Sequence, residues 1–158
     1  MVKSFMRVVY DIASSRPVTW LYLNVFPHID RPLLRATGGR LSVSVGYPIL
    51  LLETRGAKTS RVRTTPLFYV ADGDDVVIIA SNGGGPSHPA WYRNLLAHPR
   101  ATLTLRGGTA KYTAREAEGE ERGALWRKAV GAYPGYAKYR VRAGSRAIPV
   151  MVLSPVDS

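Results

Sequence analysis

The chain has 158 residues, 46% apolar and 21% charged, a length and composition that suit one globular domain around one core. Lys and Arg number 22 against 11 Asp and Glu, and the formal net charge of +11 favours an acidic partner: nucleic acid, an anionic membrane face, or a ligand carrying phosphates and carboxylates. The complete absence of cysteine excludes disulfide frameworks, thiolate zinc sites, cysteine nucleophiles and iron–sulfur clusters together.

No apolar run approaches the ~18 residues that span a bilayer. Lys3 and Arg7 precede apolar residues, but Asp11, Ser14, Ser15 and Arg16 interrupt the run before a secretory core is complete. An uncleaved intracellular protein is expected.

In chain order, Phe5, Met6, Val9, Ile12 and Ala13 fall on one helical stripe that Pro17 is expected to end. An aromatic segment from Trp20 to Phe26 stops before Pro27, and a short one around Leu33 and Leu34 stops at Gly38 and Gly39. Strands are expected at 47–54 and 65–71, and Asp72-Gly73-Asp74 turns the chain into another at 76–81. Pro89 opens a helix that carries Trp91, Leu95 and Leu96 inward until His98 and Pro99 close it. Strands at 101–106 and 111–117 meet across Gly107 and Gly108. A helix over 118–132 buries Leu125, Trp126, Ala129 and Val130, and a final strand covers 148–153. Hairpins dominate and βαβ alternation is missing, which argues against a parallel nucleotide-binding sheet. The expected fold is α+β and mostly β: a small, predominantly antiparallel barrel with helices on its rim.

Three stretches carry candidate chemistry. In the first, residues 54–63, Gly56 permits tight backbone geometry, Thr59 and Ser60 add hydroxyls, and Arg55, Lys58, Arg61 and Arg63 make the densest positive stretch of the chain. Such a turn suits a phosphate or carboxylate, and equally well describes a solvated basic hairpin tip. Ala57 stands where a Walker loop needs glycine, and a strand follows instead of a helix. In the second, Gly83, Gly84 and Gly85 let backbone approach a ligand at a helix N-terminus, or form a mobile loop in which Ser87 caps the helix. In the third, Tyr136 and Tyr139 share a face if 136–139 are helical, with Tyr133 beside them. Three phenols there can stack on a planar ring and donate a hydrogen bond, or be half-buried packing residues.

Conventional catalytic constellations are missing. His28, His88 and His98 lack metal-ligand spacing, no G-x-S-x-G elbow occurs, and the acids concentrate at turns and helix starts. An enzyme of this composition is expected to rely on a bound cofactor for the reactive step.

Taken together, these stretches resemble the deazaflavin-dependent nitroreductase family of actinobacterial split-barrel proteins. The matching pieces are residues 51–60, 63–67, 80–84, 91–95, His98-Pro99, 120–122, 133–136 and Ile148-Pro149, in the family's order. The resemblance implies a split β-barrel over 46–158, preceded by a helical segment over 1–45, that binds reduced coenzyme F420, a polyanionic deazaflavin with a phosphate and an oligoglutamate tail. It implies that Lys58 and Arg63 hold the phosphate with Thr59 beside them. Pro66, Phe68, Ser81, Asn82 and Asn94 then line the deazaflavin pocket, and Tyr133, Tyr136 and Tyr139 shape the acceptor side.

Phe68 stands where the best-known members have a tyrosine, Ser60 replaces a commoner glycine, and Arg61 adds a cation. The implied activity is hydride transfer from reduced F420 to an electron-poor acceptor, a quinone by preference and nitroaromatics adventitiously. Tyr133 or Tyr136 is expected to protonate or hydrogen-bond the acceptor oxygen. A non-catalytic deazaflavin carrier and an FMN oxidoreductase on the same barrel are the alternatives. Non-specific nucleic-acid binding is disfavoured, because no aromatic is interleaved with the cations of 55–63. The N-terminal aromatics with Lys3, Arg7 and Arg16 suit either an anionic membrane or a helix packed over the barrel mouth, so the expected location is cytoplasmic with the inner membrane face open.

Overall fold

The computed structural model describes residue 8, residues 11–12, 14–40 and 47–156, the side chain of Tyr22 aside. Of the N-terminal stripe, Phe5, Met6, Val9 and Ala13 lie outside the described residues, as do Lys3 and Arg7; Ile12 is helical and exposed. Two helices follow, α1 (Arg16–Asn24) and α2 (Phe26–Thr37). Pro17 and Pro27 sit in their first turns, where a missing N–H costs nothing; the helical residues at 11–12 give way to a turn at Ser14 and a bend at Ser15, and Pro17 opens the next helix. The segments expected on either side of Pro27 reach further than their apolar residues suggest, and α2 runs through Pro32 to Gly38 in the left-handed conformation.

The strands are β1 (Ile49–Arg55), β2 (Val62–Phe68), β3 (Val70–Asp72), β4 (Asp75–Ile79), β5 (Arg100–Leu105), β6 (Gly108–Glu116) and β7 (Val150–Pro155). Among the described residues they form one seven-stranded sheet in the order β2-β1-β5-β6-β7-β4-β3, every neighbouring pair antiparallel. The strand expected at 65–71 is two strands. It breaks at Tyr69, which is buried and donates its N–H to Pro48 O, so the chain leaves one edge of the sheet and enters the other.

The sheet curls around a core of Leu50, Leu52, Tyr69, Val76, Ile78, Leu103, Ala114, Met151 and Leu153. Period-2 alternation sends the opposite side chains outward: Val77, Ile79, Val150 and Val152 pack beneath α4 (Gly119–Ala132) and α5 (Gly135–Ala143), and Ile49 and Leu51 pack against Leu34 of α2. Both faces of β1, β4 and β7 are therefore buried, which is why these segments read as continuous apolar runs.

Helix α3 (Ala90–Ala97) contributes Trp91, Tyr92 and Leu95 to the barrel core. Leu96, expected inward, is 57% exposed, because it lies about 100° round the helix from the Trp91–Leu95 face. His98 closes α3 as expected, donating its N–H to Asn94 O at 2.7 Å. The expected antiparallel split barrel with rim helices is the observed fold.

Candidate functional site

The turn between β1 and β2 is held by backbone bonds from Gly56 N to Arg61 O (2.8 Å) and from Ser60 N to Gly56 O (2.9 Å). Ser60 takes φ +56°, the left-handed region that favours glycine. Thr59 Oγ1 accepts from Arg61 N at 3.3 Å, and a Cβ on Gly56 would come within 2.6 Å of that hydroxyl. Asn94, buried in α3, braces the turn: its Oδ1 accepts from Ala57 N (3.0 Å) and its Nδ2 donates to Thr54 Oγ1 (3.1 Å).

A cavity of about 710 Å³ opens above this turn. Lys58 and Arg63 line it from the turn and β2, Arg31 and Arg35 from α2, and Arg93 from α3. No Asp or Glu belongs to the lining among the described residues. Arg35 is oriented by a bond to Thr64 Oγ1 (3.0 Å) and lies 3.7 Å from Glu53. Five cations around one cleft are mutually repulsive, and an anion bound between them relieves that repulsion. The residues present fit a polyanion carrying phosphate and carboxylates.

The phenols form a second group. Tyr136 and Tyr139 are buried on α5, and Tyr133 folds back over its start, where a Cβ on Gly135 would lie 2.5 Å from the Tyr133 ring. The hydroxyls of Tyr133 and Tyr139 are 3.0 Å apart, and the rings of Tyr133 and Tyr136 meet edge-on at 5.1 Å. Phe68 lies 6.0 Å from Tyr133 and 5.9 Å from Tyr136, with Tyr47 edge-on to both Phe68 and Tyr133. Thr64, Pro66 and Phe68 share one face of β2, so the strand links the basic cavity to the aromatic cluster over about 13 Å.

The glycine-rich loop follows β4. Ser81 is buried, and Asn82 begins a short 3₁₀ turn and donates from Nδ2 to Ser87 O at 3.1 Å. A Cβ on Gly83 would meet Thr19 Cγ2 at 2.5 Å, and one on Gly84 would meet Tyr139 O at 2.6 Å. Gly83 and Gly84 thus let the loop pack against α1 and α5, a use distinct from both sequence expectations. Ser87 does not cap α3; Pro89 occupies that position and no side chain caps it.

Arg146 secures the loop from the other side, donating to Ser81 O (2.6 Å), Gly85 O (2.9 Å) and Ala80 O (3.3 Å), with Nη1 3.0 Å from His88 Nδ1. Burial, then the positive charges of Arg146 and Arg93, hold the His88 pKa below its ordinary value, so the neutral ring accepts from Arg146. The His88 ring packs at 4.9 Å, tilted by 54°, against Tyr92, whose hydroxyl donates to Glu116 Oε2 at 2.9 Å. Burial and that bond push the Tyr92 pKa up to about 12.

Of the sequence candidates, Lys58, Thr59, Arg63 and Asn94 meet at the cavity, while Phe68, Tyr133, Tyr136 and Tyr139 meet in the cluster. Pro66 is buried in β2 between the two groups, and Ser81 and Asn82 sit on the glycine loop. Arg31, Arg35 and Arg93 were not singled out. The i,i+4 spacing of Arg31 and Arg35 was a signal for the first two, legible only once one helix is known to span them. Arg146 gave no signal, because its partners are carbonyls of a distant loop.

A curled antiparallel sheet with a cationic cleft beside a phenol cluster places the chain among the split-barrel flavin and deazaflavin reductases. The family model of F420H(2)-dependent quinone reductases matches residues 28–155, and the chain belongs to that family. It is 39% identical over 127 residues to an F420H(2)-dependent quinone reductase of Mycobacterium tuberculosis, covering 77% of this chain and 85% of that one. It is also similar to the solved structure of an F420-H2 dependent reductase (TM-score 0.63, 42% identity, 68% of this chain and 94% of the other). A further solved structure, described as a domain-swapped dimer, matches with TM-score 0.66 and 36% identity over 87% of this chain and 99% of the other.

Proposed function

We propose that the protein transfers a hydride from reduced coenzyme F420 to a quinone. Beside family membership, the observation that carries this reading is the cavity lined by five cations and no carboxylate among the described residues, which suits a cofactor whose phosphate and glutamyl carboxylates are all anionic. Lys58 and Arg63 hold the phosphate, Thr59 donates beside them, and Asn94 keeps the turn in place, its two polar side-chain atoms being committed to Ala57 and Thr54. Pro66, Phe68, Ser81 and Asn82 border the deazaflavin. The bound deazaflavin supplies the hydride. The protein's own part is to orient the acceptor against it, exclude water, and stabilise the oxygen that gains charge.

Tyr133, Tyr136 and Tyr139 form the acceptor side, with the half-buried Tyr133 hydroxyl as hydrogen-bond donor to that oxygen. Nitroaromatics are electron-poor planar acceptors of the same shape and serve as adventitious substrates. The exposed apolar residues of α1, Trp20 (60% exposed), Leu21 and Leu23, beside Arg16, support peripheral contact with an anionic membrane surface that holds the quinone. Among the described residues no helix is long and apolar enough to cross a membrane.

The test is a fluorescence titration with coenzyme F420 and FMN in parallel, followed by oxidation of the reduced deazaflavin with menadione. Lys58→Ala and Arg63→Ala are each expected to weaken F420 binding about 10-fold or more, the loss of one charge-assisted contact. Preference for FMN, or binding without turnover, would reject the proposal.

A further inference from the structure

Helix α1 reaches the phenol cluster through one buried side chain. Thr19 is 7% exposed; its Oγ1 lies 3.3 Å from Tyr139 Oη, which lies 3.0 Å from Tyr133 Oη. Three hydroxyls from α1, α5 and the turn before α5 are therefore linked in sequence. We propose that Thr19 is a positioning residue for the acceptor side, its hydroxyl holding Tyr139 in the hydrogen-bonded chain that fixes the Tyr133 hydroxyl. The inference rests on the proposed placement of the acceptor at the tyrosines, and adds a residue outside the barrel to it.

The physical reason is positional. A hydroxyl has one proton and can also accept, so Tyr139 bonds Thr19 and Tyr133 at once, and each bond polarises the next. In either sense of the chain Thr19 holds the Tyr139 oxygen, and Tyr139 holds the Tyr133 hydroxyl where it meets an acceptor gaining negative charge. Removing the Thr19 hydroxyl frees Tyr139 and, through it, Tyr133. Thr19 also has a purely steric contact, because its Cγ2 lies 2.5 Å from where a Cβ on Gly83 would be. The two roles use different atoms of one side chain and are separable.

Thr19→Val keeps the methyl beside Gly83 and removes the hydroxyl; Thr19→Ser does the reverse. Thr19→Val is expected to lower kcat/KM for menadione about three- to tenfold, the worth of one buried hydrogen bond, with the Kd for coenzyme F420 unchanged. Thr19→Ser is expected to stay within about twofold of the parent, and Thr19→Val is expected to add nothing in a Tyr139→Phe background. Thermal unfolding of the parent, Thr19→Val, Tyr139→Phe and the double variant without cofactor gives a readout independent of turnover. The double variant should melt no lower than Tyr139→Phe alone, since removing both hydroxyls leaves no orphan. Additive losses of Tm would overturn the hydroxyl link. Coupled Tm values with unchanged menadione kinetics would overturn the positioning role. Equal losses in Thr19→Val and Thr19→Ser would assign the effect to packing on Gly83 and overturn it too. Coupled Tm values in a protein that does not oxidise reduced F420 would reject the proposed reaction, and with it the positioning role, while the hydroxyl link stands.

Discussion

The guanidinium of Arg146 lies against the backbone of Ser81, with Nη2 2.6 Å from the Ser81 carbonyl oxygen. Ser81 follows β4 and Arg146 precedes β7, and these two strands are paired from Val76↔Leu153 to Ile79↔Val150. The bond therefore extends the ladder past its last strand residue and ties the glycine loop to the sheet by a side chain. Burial lowers the Arg146 pKa, and the carbonyls of Ala80, Ser81 and Gly85 are the compensation for taking its charge out of water.

Arg146→Ala leaves those three carbonyls short of a donor and is expected to cost about 1–3 kcal/mol. Arg146→Lys should recover little, because one ammonium cannot span acceptors arranged for a planar fork. Urea unfolding of both variants checks this; a fully stable lysine variant would contradict it.

Asn94 provides a test that separates brace from charge. Asn94→Leu removes both bonds and is expected to destabilise by about 1–3 kcal/mol, with the β1–β2 turn loosened. Asn94→Asp keeps an acceptor for Ala57 N and lets Thr54 reverse its hydroxyl, so the fold should hold. The same carboxylate adds a negative charge to a lining that has none, and F420 binding should weaken about 10-fold or more. Calorimetric melting and the fluorescence titration read the two effects independently.

At Ser60 the left-handed φ of +56° sets the order of substitutions. Ser60→Gly is expected to be neutral or slightly stabilising, while Ser60→Val, branched at Cβ, should cost about 1–2 kcal/mol. Arg63 and Lys58 flank that turn, so Ser60→Val should also weaken F420 binding. Equal stability of the two variants would contradict the expectation.

His88 makes the protein acid-sensitive in a stated direction. Its folded pKa lies below the ordinary 6.5, so below pH 6.5 the unfolded chain takes up the proton first. The contribution of His88 is thus fully present above pH 6.5 and is lost as pH falls through the lowered folded value. His88→Asn, which keeps an acceptor near Nδ1 but does not titrate, should flatten this part of the stability curve in denaturant melts at pH 5 to 8. An unchanged curve would exclude His88 as its source.

Tyr133→Phe and Tyr136→Phe are expected to reduce turnover with menadione more than the Kd for F420. Tyr133→Phe should have the larger effect, because Tyr133 hydrogen-bonds Tyr139 and is half-buried, while Tyr136 is buried among Phe68, Trp126 and Tyr139. Steady-state kinetics with parallel titrations decide; unchanged turnover in both variants removes the donor role from these phenols.

The barrel was legible in local pattern: apolar runs at β1, β4 and β7, glycine turns between strands, and Pro89 at the start of α3 all act over a few residues. Lys58, Thr59 and Arg63 were legible as a site because they are neighbours in the chain. So were the three tyrosines, since the spacing of Tyr136 and Tyr139 puts them on one helix face with Tyr133 just before it. What the sequence by itself determined, then, was the succession of strands and helices apart from the break at Tyr69 and the extent of α5, the basic turn, and the phenol cluster.

Only the tertiary structure decided what stands opposite them. Arg31, Arg35 and Arg93 join the basic turn because α2 crosses β2 and α3 plugs the barrel, contacts between segments tens of residues apart. Asn94 reads as a pocket residue in the sequence and as a brace once Ala57 and Thr54 are seen beside it. Gly83 and Gly84 read as a ligand loop or a mobile one, and Thr19, Leu23, Tyr139 and Arg142 explain them as close packing. Leu96 was misplaced for the same reason, since its side of α3 is set by which residues the barrel can accept. Local preference selects the elements; which surfaces meet depends on burial summed over the whole chain, a quantity that no window of neighbouring residues contains.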